Sequence, residues 1–421
     1  MRLIVQVFVL VALVMHVTLG ATPDQIIAAG LHSHGKSLVL AGGGLNISNT
    51  EVWNTIVNLA GGKGQARIGI VTSASGDPND SIQYNTDILV NRYGAAAAVH
   101  VNVSIWDSSF ATSPTLVSQI RTLTGFYFSG GDQSRVVQSM YLAGRVETPV
   151  LAAIREQFEK GAVISGSSAG TACQPSAVMV TAGHSWEALK GGAKTSSSNE
   201  RDLTYDPLGG IGFLDGYAID THFAARGREG RMIRLLSDTK HLTMGTPYGF
   251  GVGENTALVV THAGTPRAEG KVLGEHGVTF FDLSSSFVDT SQRYFSIRDV
   301  YMTYLTHGDV YNLHTHDVTF SPDKTPLKGH ENYDHALSTD DVFYGKSNDP
   351  GRKPEFVRAA TSIFDARLDT STYGTTYEKN PRFRVEMSRA GRDAVGYVKR
   401  VHDFHSDLHS YKDMYVAIHE D

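Results

Sequence analysis

Ala162-Val163-Ile164-Ser165-Gly166-Ser167-Ser168-Ala169-Gly170-Thr171-Ala172 is the stretch whose reading decides the fold. A short apolar run, the signature of a buried strand, ends in the pattern Gly-x-Ser-x-Gly. Small residues on both sides of the central serine allow a sharp strand-to-helix turn that leaves its hydroxyl exposed. A helix beginning there aims its free N–H groups and the positive end of its dipole at the same spot. Ser168 is therefore the expected nucleophile. The competing reading is a small-residue turn without chemistry.

Upstream the same strand-then-helix pattern repeats. Ser37–Ala41 reads as a buried strand ending in Gly42-Gly43-Gly44. The third glycine of a dinucleotide fingerprint is missing, because Ile47 stands in its place, so these glycines read as a tight turn where backbone approaches a pocket. Helices are expected at Thr50–Leu59, Ser81–Tyr93, Thr115–Leu123, Ser134–Leu142 and Leu151–Lys160, the last opened by Thr148-Pro149. Strands are expected at Arg67–Thr72, across Val99, Val101 and Val103, and at Gly125–Phe128, which runs into Ser129-Gly130-Gly131-Asp132-Gln133. Such alternation implies right-handed crossovers and a parallel sheet covered on both faces, with ligands at the carboxyl ends of its strands. The fold class expected is α/β, a three-layer doubly wound and mostly parallel sheet. The glycine turn, the Gly-Gly-Asp-Gln turn and the Ser168 elbow all lie at strand ends of that kind.

Downstream, Tyr217-Ala218-Ile219 is an apolar run ending at Asp220-Thr221-His222-Phe223, followed by Arg226, Arg228, Arg231 and Arg234. Further strands are expected at Gly249–Gly253, Ala257–Val260 and Val278–Phe281. Beyond about Asn312 charged residues, histidines and loop formers rise. The expected organisation is a signal peptide over 1–20, a hydrolase domain over 21–312, and an extension over 313–421 that wraps the domain, with short helices near 353–365. The first segment starts with Arg2, is mostly apolar from Leu3 to Leu19, and meets small residues at Gly20 and Ala21. Secretion is the expected localisation, and sequons at Asn46, Asn79 and Asn102 accompany it. Cys173, the single cysteine in the chain, has no internal disulfide partner and reads as a buried core residue.

A hydrophobic content of 41%, a charged content of 19% and a formal net charge of −6 describe an ordinary globular chain. They offer no general basic field for nucleic acid. No membrane association is expected once the leader is removed.

A serine nucleophile needs a base and usually a third group to orient it. His222 is the best base, since it too follows a buried strand. An acid between nucleophile and base is expected to orient the imidazole, with Glu187 the candidate and Asp202, Asp206 and Asp215 its rivals. Arg228 and Arg231 are spaced to face one pocket from a helix start, where guanidinium forks bind carboxylates, and Asp220 could pair with a substrate arginine. His307, His314 and His316 lack a partner set spaced for a metal, so neither metal nor cofactor is expected. An α/β-hydrolase esterase shares the chain order nucleophile, acid, histidine, but the gap from Ser168 to His222 is short for that fold.

At these residues the chain resembles a family, the cyanophycinase and dipeptidase E group of serine peptidases. Gly42-Gly43-Gly44, Phe128-Ser129-Gly130-Gly131-Asp132-Gln133, Gly166-Ser167-Ser168-Ala169-Gly170 and the stretch from Asp220-Thr221-His222 to Arg231 carry the likeness. Gly251-Val252-Gly253-Glu254-Asn255-Thr256-Ala257-Leu258 also fits. The Asp-x-His-Phe-x-x-Arg-Gly-Arg-x-Gly-Arg run is similar to the cyanophycinase branch, although Thr221 stands where the bacterial pattern has glutamine. The resemblance implies a flavodoxin-like or glutamine-amidotransferase-like sheet and a Ser–His–Glu triad of Ser168, His222 and Glu187. It implies oxyanion donors at Ala169 and in the turn at Gly131 and Asp132. Substrate contacts are implied at Gln133, Asp220, Arg226, Arg228 and Arg231. The implied substrate is cyanophycin, poly-aspartate carrying arginine on its side-chain carboxyls, or a related acidic or β-aspartyl peptide. A homodimer is the assembly considered, and an inactive secreted binding protein is the alternative outside enzymes. The 313–421 extension has no counterpart in the minimal enzyme.

Overall fold

The computed structural model describes residues 34–345, 354–401 and 407–421. The expected signal peptide lies outside the described residues. Leu38–Ala41 (β1), Thr50–Leu59 (α1), Arg67–Val71 (β2), Pro78–Thr86 (α2), Ala97–Val101 (β3), Pro114–Ile120 (α3) and Gly125–Phe128 (β4) follow the expected alternation. Gln133–Met140 (α4), Pro149–Glu159 (α5), Val163–Ser167 (β5) and the single turn Ala169–Ala172 (α6) continue it to the elbow. Caps set the starts. Thr148 Oγ1 accepts from Leu151 N at 3.2 Å ahead of Pro149, and the Asp77 carboxylate accepts from Asn79 N and Asp80 N ahead of Pro78. The second cap starts α2 three residues before the expected Ser81, and a wider π-helical turn over Asp87–Arg92 completes that segment.

Beyond the elbow come Ala218–Asp220 (β6), Glu229–Thr239 (α7), Tyr248–Val252 (β7), Thr256–Thr261 (β8), Glu269–Gly274 (β9), Gly277–Asp282 (β10), Ile297–Thr306 (β11), Val310–Asn312 (β12) and Val318–Thr319 (β13). Nine strands form one sheet in the order β13-β12-β9-β8-β1-β5-β4-β2-β3. The five from β1 to β3 are mutually parallel, and β8 adds antiparallel to β1. Read from β3, the strands β3-β2-β4-β5 have the flavodoxin order 2-1-3-4, with the first strand of the chain in fifth place. The fold is α/β with a mostly parallel central sheet.

Alternate residues of β1 enter different cores, as a sheet covered on both faces requires. Leu38 and Leu40 pack with Phe126, Phe128, Leu151 and Ile154 from one side, and Val39 and Ala41 pack with Trp53, Ile56 and Tyr127 from the other. At about 25 cal/mol per Å² of apolar surface, these two layers hold the sheet rigid under the strand ends.

The described residues of 313–421 hold more regular structure than expected. They supply Glu355–Phe364 (α8), Ser371–Thr375 (β14), Phe383–Ser388 (β15), Val395–Lys399 (β16) and Leu408–Glu420 (β17). A second, largely antiparallel sheet runs β6-β7-β10-β11-β17-β15-β14, with β16 also paired to β17. Strand β17 lies along β11, so the tail completes a sheet that the preceding segment begins. Its buried residues Tyr411, Met414, Val416 and Ile418 form one core with Phe281, Met302, Phe356 and Phe364. The expected short helices near 353–365 reduce to the one helix α8. Among the described residues no helix is long and apolar enough to cross a membrane.

Candidate active site

The elbow is built by close approach. A Cβ on Gly166 would lie 2.2 Å from Gly170 O, and one on Gly170 would lie 2.0 Å from Phe128 O. Neither position admits a side chain while the turn keeps its shape. Between them Ser168 takes φ 55° and ψ −119°, a conformation that costs an ordinary residue of order 1–3 kcal/mol and persists only where packing enforces it. Its hydroxyl is thereby lifted above the sheet.

His222 Nε2 lies 2.8 Å from Ser168 Oγ, and His222 Nδ1 lies 2.7 Å from Glu254 Oε1. The carboxylate accepts the Nδ1 proton, which leaves Nε2 free to accept from the serine hydroxyl. Burial lowers the imidazole below its ordinary value, while its hydrogen bond to Glu254 works in the opposite direction.

One short stretch of backbone holds all three groups. The carbonyl of Ala41 accepts from Ser168 N at 3.1 Å, that of Gly42 from His222 N at 2.6 Å, and that of Gly43 from Asn255 N, next to Glu254, at 2.9 Å. Gly43 also lies against the histidine, where a Cβ would come within 2.2 Å of Cε1 and 2.3 Å of Nε2. The glycine turn read from the sequence as a backbone approach to a pocket is in contact with the pocket's base.

Gly131, Gln133, Ser168, His222, Arg226 and Arg228 are among the residues enclosing a cavity of about 410 Å³. Ala169 and Gly131 line this cavity, and no acceptor meets their backbone N–H groups among the described residues. The helix behind the elbow is a single turn.

The family model described as Peptidase family S51 matches residues 38–265. The chain belongs to peptidase family S51. It is a serine-type peptidase. Its sequence is 29% identical over 296 residues to the cyanophycinase of Synechococcus elongatus, covering 68% of this chain and 82% of that one. It is 25% identical over 288 residues to the cyanophycinase of a Nostoc species, covering 67% and 86%. A crystal structure of a peptidase from an acI-B1 Actinobacterium aligns with a TM-score of 0.45 and 20% identity, covering 66% of this chain and 96% of the other.

Three of the expected site residues of this S51 peptidase are engaged otherwise than expected. Glu187 does not meet His222. Its Oε1 accepts from Arg201 Nε at the helix Ser185–Gly191, and Glu254 takes the place beside the imidazole. The expectation assumed an acid between nucleophile and base in the chain, whereas the acid here follows both. The signal was present, since Glu254 lies just past the carboxyl end of β7, as His222 lies past that of β6. Asp202 and Asp206 are likewise engaged, with Lys194 and Arg145 respectively.

Asp132 is not an oxyanion donor. Its N–H is bonded to Ala74 O at 3.0 Å, and its carboxylate caps α4 through Ser134 N at 2.8 Å.

Asp220 lines the cavity, but its carboxylate is engaged within the protein. It is buried and already saturated: Arg231 Nε donates to Oδ2 at 2.8 Å, Arg231 Nη2 and Arg228 Nη1 donate to Oδ1 at 2.7 and 3.1 Å, and Thr221 N adds a fourth bond at 2.7 Å. Burial alone would push this carboxyl up, but the two guanidiniums outweigh it and hold the group below the ordinary value. Arg231 is buried with it and donates to Gly183 O at 2.7 Å, so both act as the floor of the cavity. Arg228 keeps one edge on the cavity while donating to Thr221 O at 2.6 Å, and burial pulls its guanidinium down to about 9. Gln133 lines the cavity with its amide nitrogen donated to Val180 O at 2.8 Å, and Arg226 is exposed at the rim.

The histidines weighed for metal are dispersed. His307 pairs with Glu51 at 3.3 Å and His316 packs edge-on against Tyr248. No group of metal-ligating side chains gathers among the described residues. Cys173 is buried in the core beneath the elbow.

Proposed function

We propose that this peptidase hydrolyses cyanophycin, or a related β-aspartyl or aspartyl peptide, through an acyl-enzyme on Ser168, and that it does so outside the cell after loss of residues 1–20. The observation that carries the reading is the Ser168–His222–Glu254 relay opening on a cavity lined by Arg226 and Arg228. The cyanophycinases among its relatives support the substrate.

In this reading His222 Nε2 takes the Ser168 proton as Oγ attacks the scissile carbonyl carbon. The electron pair moves to the carbonyl oxygen, held by the N–H groups of Ala169 and Gly131. Collapse of that intermediate breaks the C–N bond, and His222 returns the proton to the leaving amine. Water, deprotonated by the same imidazole, then cleaves the ester and restores the serine. Glu254 keeps the tautomer and stabilises the transient imidazolium. Arginine at the rim attracts the carboxylates of an acidic peptide.

Ser168→Ala lowers cyanophycin hydrolysis by about 10⁴-fold or more with an unchanged melting temperature. Turnover equal to wild type removes Ser168 from the mechanism. Secretion is tested by sequencing the N-terminus of protein recovered from medium, and a mature chain that retains Met1 refutes it.

A further inference from the structure

With Asp220 saturated, the acid that would receive a cationic group of the substrate must be another one. The carboxylates and guanidiniums lining the cavity beside Ser168 are Glu200, Asp220, Arg226, Arg228 and Arg231. Arg228 and Arg231 are locked on Asp220. The side chains of Arg226 and Glu200 alone in this set have no hydrogen-bond or ion-pair partner among the described residues, and both are exposed at the rim.

Glu200 is also presented by a loop that Asp202 and Arg201 hold in place. Asp202 accepts from Lys194 Nζ at 2.7 Å, Ser197 Oγ at 2.8 Å and Asn199 Nδ2 at 3.1 Å. Arg201 is tied to Glu187, and His184 N donates to Arg201 O at 2.9 Å. Glu187 therefore braces the rim of the site instead of serving its chemistry. A fixed loop offering one unpaired carboxylate loses little entropy when a cation arrives.

We propose that Glu200 is a specificity-determining residue, which takes the guanidinium or ammonium of a substrate side chain while Arg226 takes a carboxylate of the same substrate. The assignment rests on the aspartyl-peptide reading above and adds to it the group that selects charge.

The full chain is assayed on an aspartate trimer whose side-chain carboxyls carry arginine in amide linkage, and on the same trimer carrying citrulline, which keeps the shape and loses the charge. Wild type favours the arginyl trimer by about tenfold in kcat/KM, the scale of one charge-assisted hydrogen bond. Glu200→Gln brings the ratio to about one, chiefly through a higher KM for the arginyl trimer, and Glu200→Arg drives it below one. A wild-type ratio near one, or a Glu200→Gln ratio equal to wild type's, overturns the assignment. The two readings fail separately. Cleavage of both trimers at equal rates removes only the role of Glu200, whereas cleavage of neither removes the aspartyl-peptide reading and Glu200 with it.

Discussion

The two sheets of this molecule are ordered in opposite ways. The function sits where short strands stop and the two sheets meet: Ser168 lies just past β5 of the parallel sheet, and His222 and Asn255 just past the parallel pair β6 and β7 that ends the second, with positive φ of 55°, 47° and 46°. The antiparallel sheet is held along its length, with β17 running thirteen residues between β11 and β15. The strand ends place reactive groups by local strain and close backbone approach, and the long strands of the second sheet supply bulk stability through side-chain packing. Substitutions at the former should therefore cost rate, and substitutions in the latter should cost stability.

The largest effect that sharpens this contrast concerns the acid. Glu254→Gln should lower kcat by roughly 10³–10⁴-fold, because the imidazole loses its tautomer and its counter-charge. Glu187→Gln should stay within a few-fold of wild type. Parallel steady-state kinetics on the two variants decide it, and the reverse ranking would restore Glu187 to the triad.

Next comes the second sheet. Tyr411 is buried and stacks on Phe364 with ring centroids 5.0 Å apart. Tyr411→Ala should cost about 3–5 kcal/mol in denaturant unfolding while kcat per folded molecule holds. A loss of kcat without a loss of stability would break the division of labour between the strand ends and the long strands.

A smaller loss is expected at Gly43→Ala, since the added methyl displaces the His222 ring from Ser168. The rate should fall by about 100-fold with little change in melting temperature. An active Gly43→Ala enzyme would mean that the turn yields more readily than its contacts suggest.

The mildest signature is the acid limb of the pH–rate profile. The base must be unprotonated to act, and burial disfavours the imidazolium, so kcat/KM should rise with pH through a midpoint below the ordinary 6.5 of histidine. A midpoint above that value would mean that the counter-charge of Glu254 outweighs burial.

The contrast also explains what was legible beforehand. Thr50–Leu59 and Gly125–Phe128 were readable to the residue, because apolar periodicity and punctuating glycines act locally. The elbow and His222 were legible for the same reason, as each follows a buried strand. The acid was not, since orientation of an imidazole depends on which strand end lies opposite. The pairing of β7 beside β6 that brings Glu254 there is a tertiary fact. Strand β17 was hidden too. His409, Lys412, Asp413 and His419 raise its polarity, and Asp413, at φ 57°, interrupts the alternation of its buried residues. Its partner β11 lies about a hundred residues earlier, beyond any sequence window. Asp220 misled in a different way, since a carboxylate beside arginines reads equally as a ligand site and as the internal counter-ion it is.

The carbonyls of Ala41, Gly42 and Gly43 are bonded to the amides of Ser168, His222 and Asn255, so nucleophile, base and acid are moored to successive rungs of one ladder. Fluctuations of β1 then carry the three as a single body, and their mutual distances survive motions of the sheet that would scatter groups anchored independently. The same coupling makes loss of the site all-or-none. An opening that releases the end of β1 frees all three amides in one event, and partial disassembly of the relay has no separate structural route through these contacts.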